Sequence, residues 1–267
     1  MAASSSNLVV LAGVMRGQAR GLILWALALG AVSAMYISFY PSFGDDQMDQ
    51  MIADMPEDLV IALGYDRIGS AAGWVTTTVY GLVAPILLLV FAVAGGSRLI
   101  AGAEEEGTLE LELTSAVVRR QVLGERILAL WLSVLALVVV IALVSYGLVQ
   151  ALDMDVGISG ILAGTLGLYL LVTGLGTVAL AAGAITGRRA IALGAGAGLA
   201  VLAFVFDALG PVVEAGWMTA ISPFSWYLEN DPLATGFDVR GLILLAIVPI
   251  VFAAAGLLAF DRRDLMV

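Results

Sequence analysis

Ile127-Leu-Ala-Leu-Trp131-Leu-Ser133-Val-Leu-Ala-Leu-Val-Val-Val140-Ile-Ala-Leu-Val-Ser145-Tyr146-Gly-Leu-Val-Gln150 runs for 24 residues without a charged side chain. A helix rises about 1.5 Å per residue, and crossing ~30 Å of hydrocarbon takes about 20 apolar residues. This run is long enough, and it lacks the charged stripe that a surface helix of a soluble protein turns to water. Five further stretches share its character: Gly21–Tyr40, Val75–Ser97, Gly160–Thr186, Ala190–Leu209 and Gly241–Phe260. Their only charge is Asp207, close to the end of the fifth run in chain order. Gly187-Arg188-Arg189 alone separates that run from the one before it, which predicts a tight hairpin. The fold class read from these runs is an all-α integral membrane protein with six transmembrane helices.

Composition agrees. The chain is 61% hydrophobic and 13% charged, where soluble domains run near half and a quarter. Its formal charge of -10 does not mark an acidic soluble protein, because the acids cluster between uncharged runs. Cys, His and Lys are all absent. That removes disulfides, the usual zinc and transition-metal sites, Cys nucleophiles and His general bases. It also removes the P-loop, whose lysine must reach the phosphates. The chain therefore cannot hydrolyse nucleotides by that route, and it has no catalytic machinery legible in its residues. The exclusive use of Arg, with abundant Ala, Gly and Val, points to a high-GC bacterial genome and hence to a bacterial plasma membrane.

The arginines give the runs a direction. Arg16 and Arg20 precede the first span, and Arg98, Arg119, Arg120 and Arg126 lie between the second and third. Arg188 and Arg189 lie between the fourth and fifth, and Arg262 and Arg263 follow the sixth. In a six-span arrangement these fall on one side, leaving Arg67 and Arg240 on the other. The positive-inside rule makes the arginine-rich side cytoplasmic, so both termini are expected in the cytoplasm. Tyr36, Phe39, Tyr40, Trp74 and Tyr146 fall near span ends, where amphipathic rings prefer to sit.

Between the spans, residues 1–20 carry Leu8, Leu11 and Met15 at helical spacing, with Arg16 and Arg20 one turn apart. This predicts an amphipathic interfacial helix. Val32-Ser33-Ala34 resembles a signal-cleavage site, but the apolar run continues past it to a full spanning length. Residues 41–73 form an acidic outer loop, with Met48, Met51, Ile52, Met55 and Leu59 spaced for a surface helix. Residues 210–240, with Pro211, Pro223 and Pro232, predict a broken or re-entrant outer region shielded by protein. Pairs of glycines four apart, Gly160/Gly164, Gly183/Gly187 and Gly194/Gly198, allow close helix approach, within one subunit or at a dimer seam. Pro85 and Pro249 are expected to kink their spans. Asp207 lies three residues before Gly210-Pro211 and is expected to be hydrated at the interface.

The loop from residue 98 to 126 is the most informative. Glu104-Glu105-Glu106-Gly107-Thr108-Leu109-Glu110, then Leu113 and Arg119, resembles the ABC-transporter type-2 permease family, which carries an acidic turn, Gly-Thr-Leu-Glu, an apolar stretch and an Arg between its second and third spans. Phe260-Asp261-Arg262-Arg263-Asp264-Leu265 resembles that family's closing signature, and Ser222-Pro223-Phe224 with Pro232-Leu233 resembles the family in the outer loop before the last span. The likeness departs at Ala116, Glu106 and Glu125, where Pro, a basic residue and Lys are common.

The resemblance covers the whole chain, 1–267, as a single permease domain, and implies a subunit paired with two separate ATPase subunits and a second permease copy or paralogue. ATP and magnesium would be bound by the partner, with no cofactor in this chain. Glu104, Glu105, Gly107, Thr108, Glu110 and Arg119 would form the ATPase-coupling loop, and Arg188 and Arg189 a smaller contact; Arg262, Arg263 and Asp264 match the closing signature. The implied activity is export; apolar spans with few polar groups tolerate lipids, hydrophobic drugs or peptides, and the resemblance does not choose among them. A secondary transporter is the alternative within transport, opposed by the scarcity of intramembrane carboxylates and of an inverted repeat. The alternative from another class is a membrane prenyl-transferring enzyme, with Asp45, Asp46 and Asp49 in the DDxxD spacing that holds magnesium against a diphosphate.

Overall fold

In the computed structural model, residues 8–42, 55–63, 65, 68–108 and 119–263 are described. Six helices long and apolar enough to span a membrane dominate it: α1 (Val9–Phe39), α3 (Ala71–Glu105), α4 (Arg119–Ala151), α5 (Ile158–Thr186), α6 (Arg189–Val212) and α10 (Val239–Arg262). A short helix, α2 (Glu57–Leu63), precedes α3. Three more, α7 (Gly216–Ile221), α8 (Pro223–Leu228) and α9 (Pro232–Thr235), fill the interval between α6 and α10. The described residues contain no strand.

The stretch with amphipathic spacing and the first span share one unbroken helix, α1. Leu8, at its N-cap, has no side-chain oxygen to meet the first free N–H groups. Glu125 of α4 supplies one instead, accepting from the backbone N–H of Leu8 (3.2 Å) and Leu11 (2.8 Å). A carboxylate there also faces the positive end of the helix dipole. The cap holds the first turns of α1 against α4.

α5 is the central element. Its apolar stretch is 78% buried, against 17% in α6 and 22% in α1 and α10. It packs on α3, α4, α6 and α10. Lipid tails are as apolar as leucine, so helices in a bilayer associate through close packing and small residues rather than by escaping water. Gly96 of α3 shows how close: a Cβ there would lie 2.5 Å from the Gly176 carbonyl oxygen of α5. One neutral hydrogen bond adds a polar tie, from Trp131 Nε1 to Thr177 Oγ1 at 2.9 Å between α4 and α5.

α3 is not uniformly α-helical. It widens to π geometry over Thr76–Val83 and again over Arg98–Gly102. The first widening immediately precedes Pro85, which lacks the N–H that would bond Gly81 in a regular helix. Wider i→i−5 bonding, seen from Ala84 N–H to the Val79 carbonyl, absorbs that defect. The Tyr80 carbonyl inside the widened turn accepts the Tyr227 hydroxyl of α8 at 3.2 Å.

The region of prolines between α6 and α10 is a chain of short helices folded back onto α5. Pro223 and Pro232 each stand at the first position of a helix, where a missing N–H costs nothing. Gly160 and Gly164 of α5 receive this segment: a Cβ on Gly160 would lie 2.1 Å from the Leu233 carbonyl oxygen, and one on Gly164 2.5 Å from the Leu233 side chain. That pair therefore packs within the subunit. Gly194 and Gly198 of α6 have no atom within 4 Å of an added Cβ. Asp207 accepts the Ser225 hydroxyl at 2.7 Å and lines a cavity of about 270 Å³ beside Thr76, Phe204 and Thr219.

Candidate coupling site

The arginine-rich ends of the spans meet at one end of the bundle. α3 stops there because Gly107 takes a left-handed conformation (φ 69°), its N–H bonding the Glu104 carbonyl at 3.0 Å. A left-handed glycine just past a helix is a common stop, since side chains with a Cβ rarely adopt that backbone. Thr108 Oγ1 adds a 3.1 Å bond to the Ala103 carbonyl. The last turn of α3 thereby presents Glu104 and Glu105 toward its neighbours; Glu105 remains exposed, as do Glu106, Gly107 and Thr108.

The two carboxylates lock the hairpin between α5 and α6. Glu105 Oε1 accepts the backbone N–H of Arg189, the first residue of α6, at 2.8 Å. Glu104 pairs with the Arg263 guanidinium, and Arg263 Nη1 also donates to the Ala184 carbonyl of α5 at 2.9 Å. An acid thus sits at the start of α6 and a base over the final turn of α5, the charge placement that both helix dipoles favour. The Glu104–Arg263 pair is nearly closed off from solvent, with 11% and 16% of the side chains exposed. Gly187 turns the hairpin at φ 67°, and a Cβ there would lie 2.5 Å from Arg263 Nη2 and 2.9 Å from Glu104 Oε1. Only glycine fits both the backbone and the ion pair beside it.

The start of α4 joins the same cluster. Arg119 Nη1 donates to the Arg263 carbonyl at 3.0 Å, and Arg120 pairs with Asp261 at 2.7 Å. Arg126, buried, donates to the Leu99 carbonyl within the second π segment of α3. Sequence spacing could not single out Gly187, Arg126 or Glu125, because each acts on a residue of a different helix. Glu125 stood out only as an acid in place of a common lysine.

Of the residues expected to couple to a partner, Glu104, Glu105, Arg119 and Arg189 come together in this cluster, joined by Arg263 of the closing signature. Gly107, Thr108, Arg188 and Arg262 lie exposed at its rim. Glu104 faces inward to Arg263, not outward. Glu110 and Asp264 lie outside the described residues, as do Asp45, Asp46 and Asp49. Among the described residues no group of three or more acids or other metal-binding side chains is placed to hold a metal ion.

The family model described as "ABC-2 family transporter protein" matches residues 10–265. No curated protein matches the chain. The match spans nearly the whole sequence, all six spans and the clasp included, so the chain belongs to the ABC-2 transporter family and is a multi-pass membrane permease of an ABC transporter. Association with ABC ATPase subunits is general to this family.

Proposed function

We propose that the chain is the transport subunit of an ATP-driven exporter in a bacterial plasma membrane, working as a permease dimer with two ATPase subunits that bind ATP and magnesium. The arginine-rich end is the cytoplasmic face, and the segment around residues 104–119 is the coupling element. One observation supports this most. The end of α3, the α5–α6 hairpin and the end of α10 are tied together by Glu104, Glu105 and Arg263, beside an exposed shoulder at Glu106–Thr108. A partner that grips the shoulder moves α3 and, through the clasp, α5, α6 and α10 as well. A conformational shift driven by a partner needs contacts that differ between two states, and an ion pair between three helix ends can supply them.

Capture of the ATPase by the purified permease tests this reading. Paired reversal of exposed charges, Glu106→Arg with Arg188→Glu, is expected to weaken capture while the permease still elutes as a monodisperse species. Undiminished capture would remove the coupling assignment. Orientation is tested separately, on a chain with no native cysteine. A cysteine at Asp49 is expected to react with an impermeant maleimide in intact cells, and one at Ser115 only after lysis. Labelling of Ser115 from outside would reverse the topology.

A further inference from the structure

Beside the clasp, α1, α3 and α4 enclose a cleft of about 520 Å³. Two arginines line its end nearest the clasp: Arg98, the first residue of the second π segment of α3, and Arg189, at the start of α6. Both stems pack beside Gly102, where a Cβ would lie 3.2 Å from Arg98 Cγ and 3.7 Å from Arg189 Cδ. Neither guanidinium has an ion pair among the described residues; the acids of this end are engaged elsewhere, Glu104 with Arg263, Asp261 with Arg120, and Glu105 with the Arg189 backbone. Arg189 Nε is buried and meets no acceptor among the described residues. A buried N–H without an acceptor is rare in folded proteins and marks a group that needs one.

The cleft changes character with depth. Seven residues further into the membrane than Arg98 on α3 is Phe91, and seven further than Gln18 on α1 is Trp25. At about 1.5 Å per residue, that is roughly 10 Å. The two rings meet edge to face, with centroids 5.7 Å apart. Gln18 Nε2 donates to Ser133 Oγ of α4 at 2.7 Å, closing the polar end. Gly21 keeps the wall of α1 open: an added Cβ would have nothing within 4 Å.

We infer that this cleft binds an anionic amphiphile, with a phosphate-type headgroup on Arg98 and Arg189 at the membrane surface and an acyl chain against Trp25 and Phe91. Basic pockets between membrane helices hold anionic headgroups by this combination of charge and depth. The site requires only that the chain spans a membrane, so failure of ATPase capture leaves it standing.

Native mass spectrometry of the full-length permease, titrated with phosphatidylglycerol, phosphatidylcholine or inorganic phosphate, tests the site. The wild type is expected to retain phosphatidylglycerol under activation that strips phosphatidylcholine, and inorganic phosphate is expected not to compete. Arg98→Gln is expected to weaken retention about fivefold, the worth of one basic residue beside an anionic lipid. Gly21→Leu, whose Cβ meets open space and whose side chain extends the wall of α1, is expected to reduce retention to the phosphatidylcholine level; it decides the matter if Arg98→Gln fails to fold. Equal retention of the two lipids by the wild type would overturn the site. So would unchanged phosphatidylglycerol retention in both variants. Displacement by inorganic phosphate at equal concentration would reassign the arginines to free phosphate and overturn the amphiphile.

Discussion

The two ends of the bundle are held by different physics. At the arginine-rich end, helix termini are joined by charges: Glu104 to Arg263, Glu105 to the first N–H of α6, Glu125 to the first N–H groups of α1. At the opposite end the short helices α8 and α9 are keyed into α5 by shape, with Leu233 and Tyr227 occupying the space that Gly160, Gly164 and Gly167 leave open. Steric keys tolerate almost no displacement, because a packed interior has no room to slide. Charge-assisted bonds between helix ends can be exchanged for a partner's charged groups, which a steric key cannot be. The keyed end is suited to staying fixed and the charged end to being moved, which matches a partner acting at the charged end.

Four substitutions sharpen or break that contrast. The largest effect is expected from Gly160→Val at the keyed end. Its Cβ would meet the Leu233 backbone oxygen at 2.1 Å, which no rotamer relieves. Destabilisation of about 3 kcal/mol or more should appear as loss of monodisperse protein on size exclusion. A well-behaved variant would show that the α9 segment is free to shift.

Next is Glu104→Gln, which leaves the largely buried Arg263 without its counter-charge. A loss of about 2 kcal/mol is expected, below the cost at a fully buried site because this end is near water. Thermal unfolding in detergent measures it, and Glu104→Gln with Arg263→Gln together should lose less than the sum of the two alone. Strict additivity would mean that the pair is not coupled.

Glu125→Ala removes the cap of α1 and is expected to cost about 1 kcal/mol. Hydrogen exchange at the amides of Leu8 and Leu11 reads it locally. Unchanged protection there would leave the cap without a role. The smallest effect belongs to Arg120→Gln. Its pair with Asp261 leaves 61% and 34% of the side chains exposed, and such surface pairs contribute at most about 1 kcal/mol and often nothing measurable. A large shift in unfolding temperature would show that the rim, and not only the Glu104–Arg263 pair, holds this end together.

The spans were legible because length and the absence of charge are local properties. Each of the six runs corresponds to one spanning helix, and the hairpin at Gly187 falls between α5 and α6. Other features were legible only as composition. Pro85 announced a defect in α3, but the form it takes, a π turn whose Tyr80 carbonyl is met by Tyr227, depends on a residue 147 positions away. Gly160 and Gly164 were readable as a close-packing stripe, while their partner, the α9 backbone, was not. Within the coupling segment, Glu104 and Glu105 read as one acidic run facing a partner. In the fold one clasps Arg263 and the other caps α6 while staying exposed beside Glu106.

The sequence by itself determined that this chain lives in a membrane, that it has six spans, and that it lacks a nucleotide-binding lysine. Each follows from the cost of placing charge in hydrocarbon or from the chemistry of residue types, and neither needs to know what lies beside what. Only the tertiary structure decided that α5 is central, that Glu104, Glu105 and Glu125 are spent on helix ends, and that Arg98 and Arg189 share one cleft. Those outcomes rest on contacts between residues far apart in the chain, such as Glu104 with Arg263 and Glu125 with Leu11, whose energies exist only once the helices have packed.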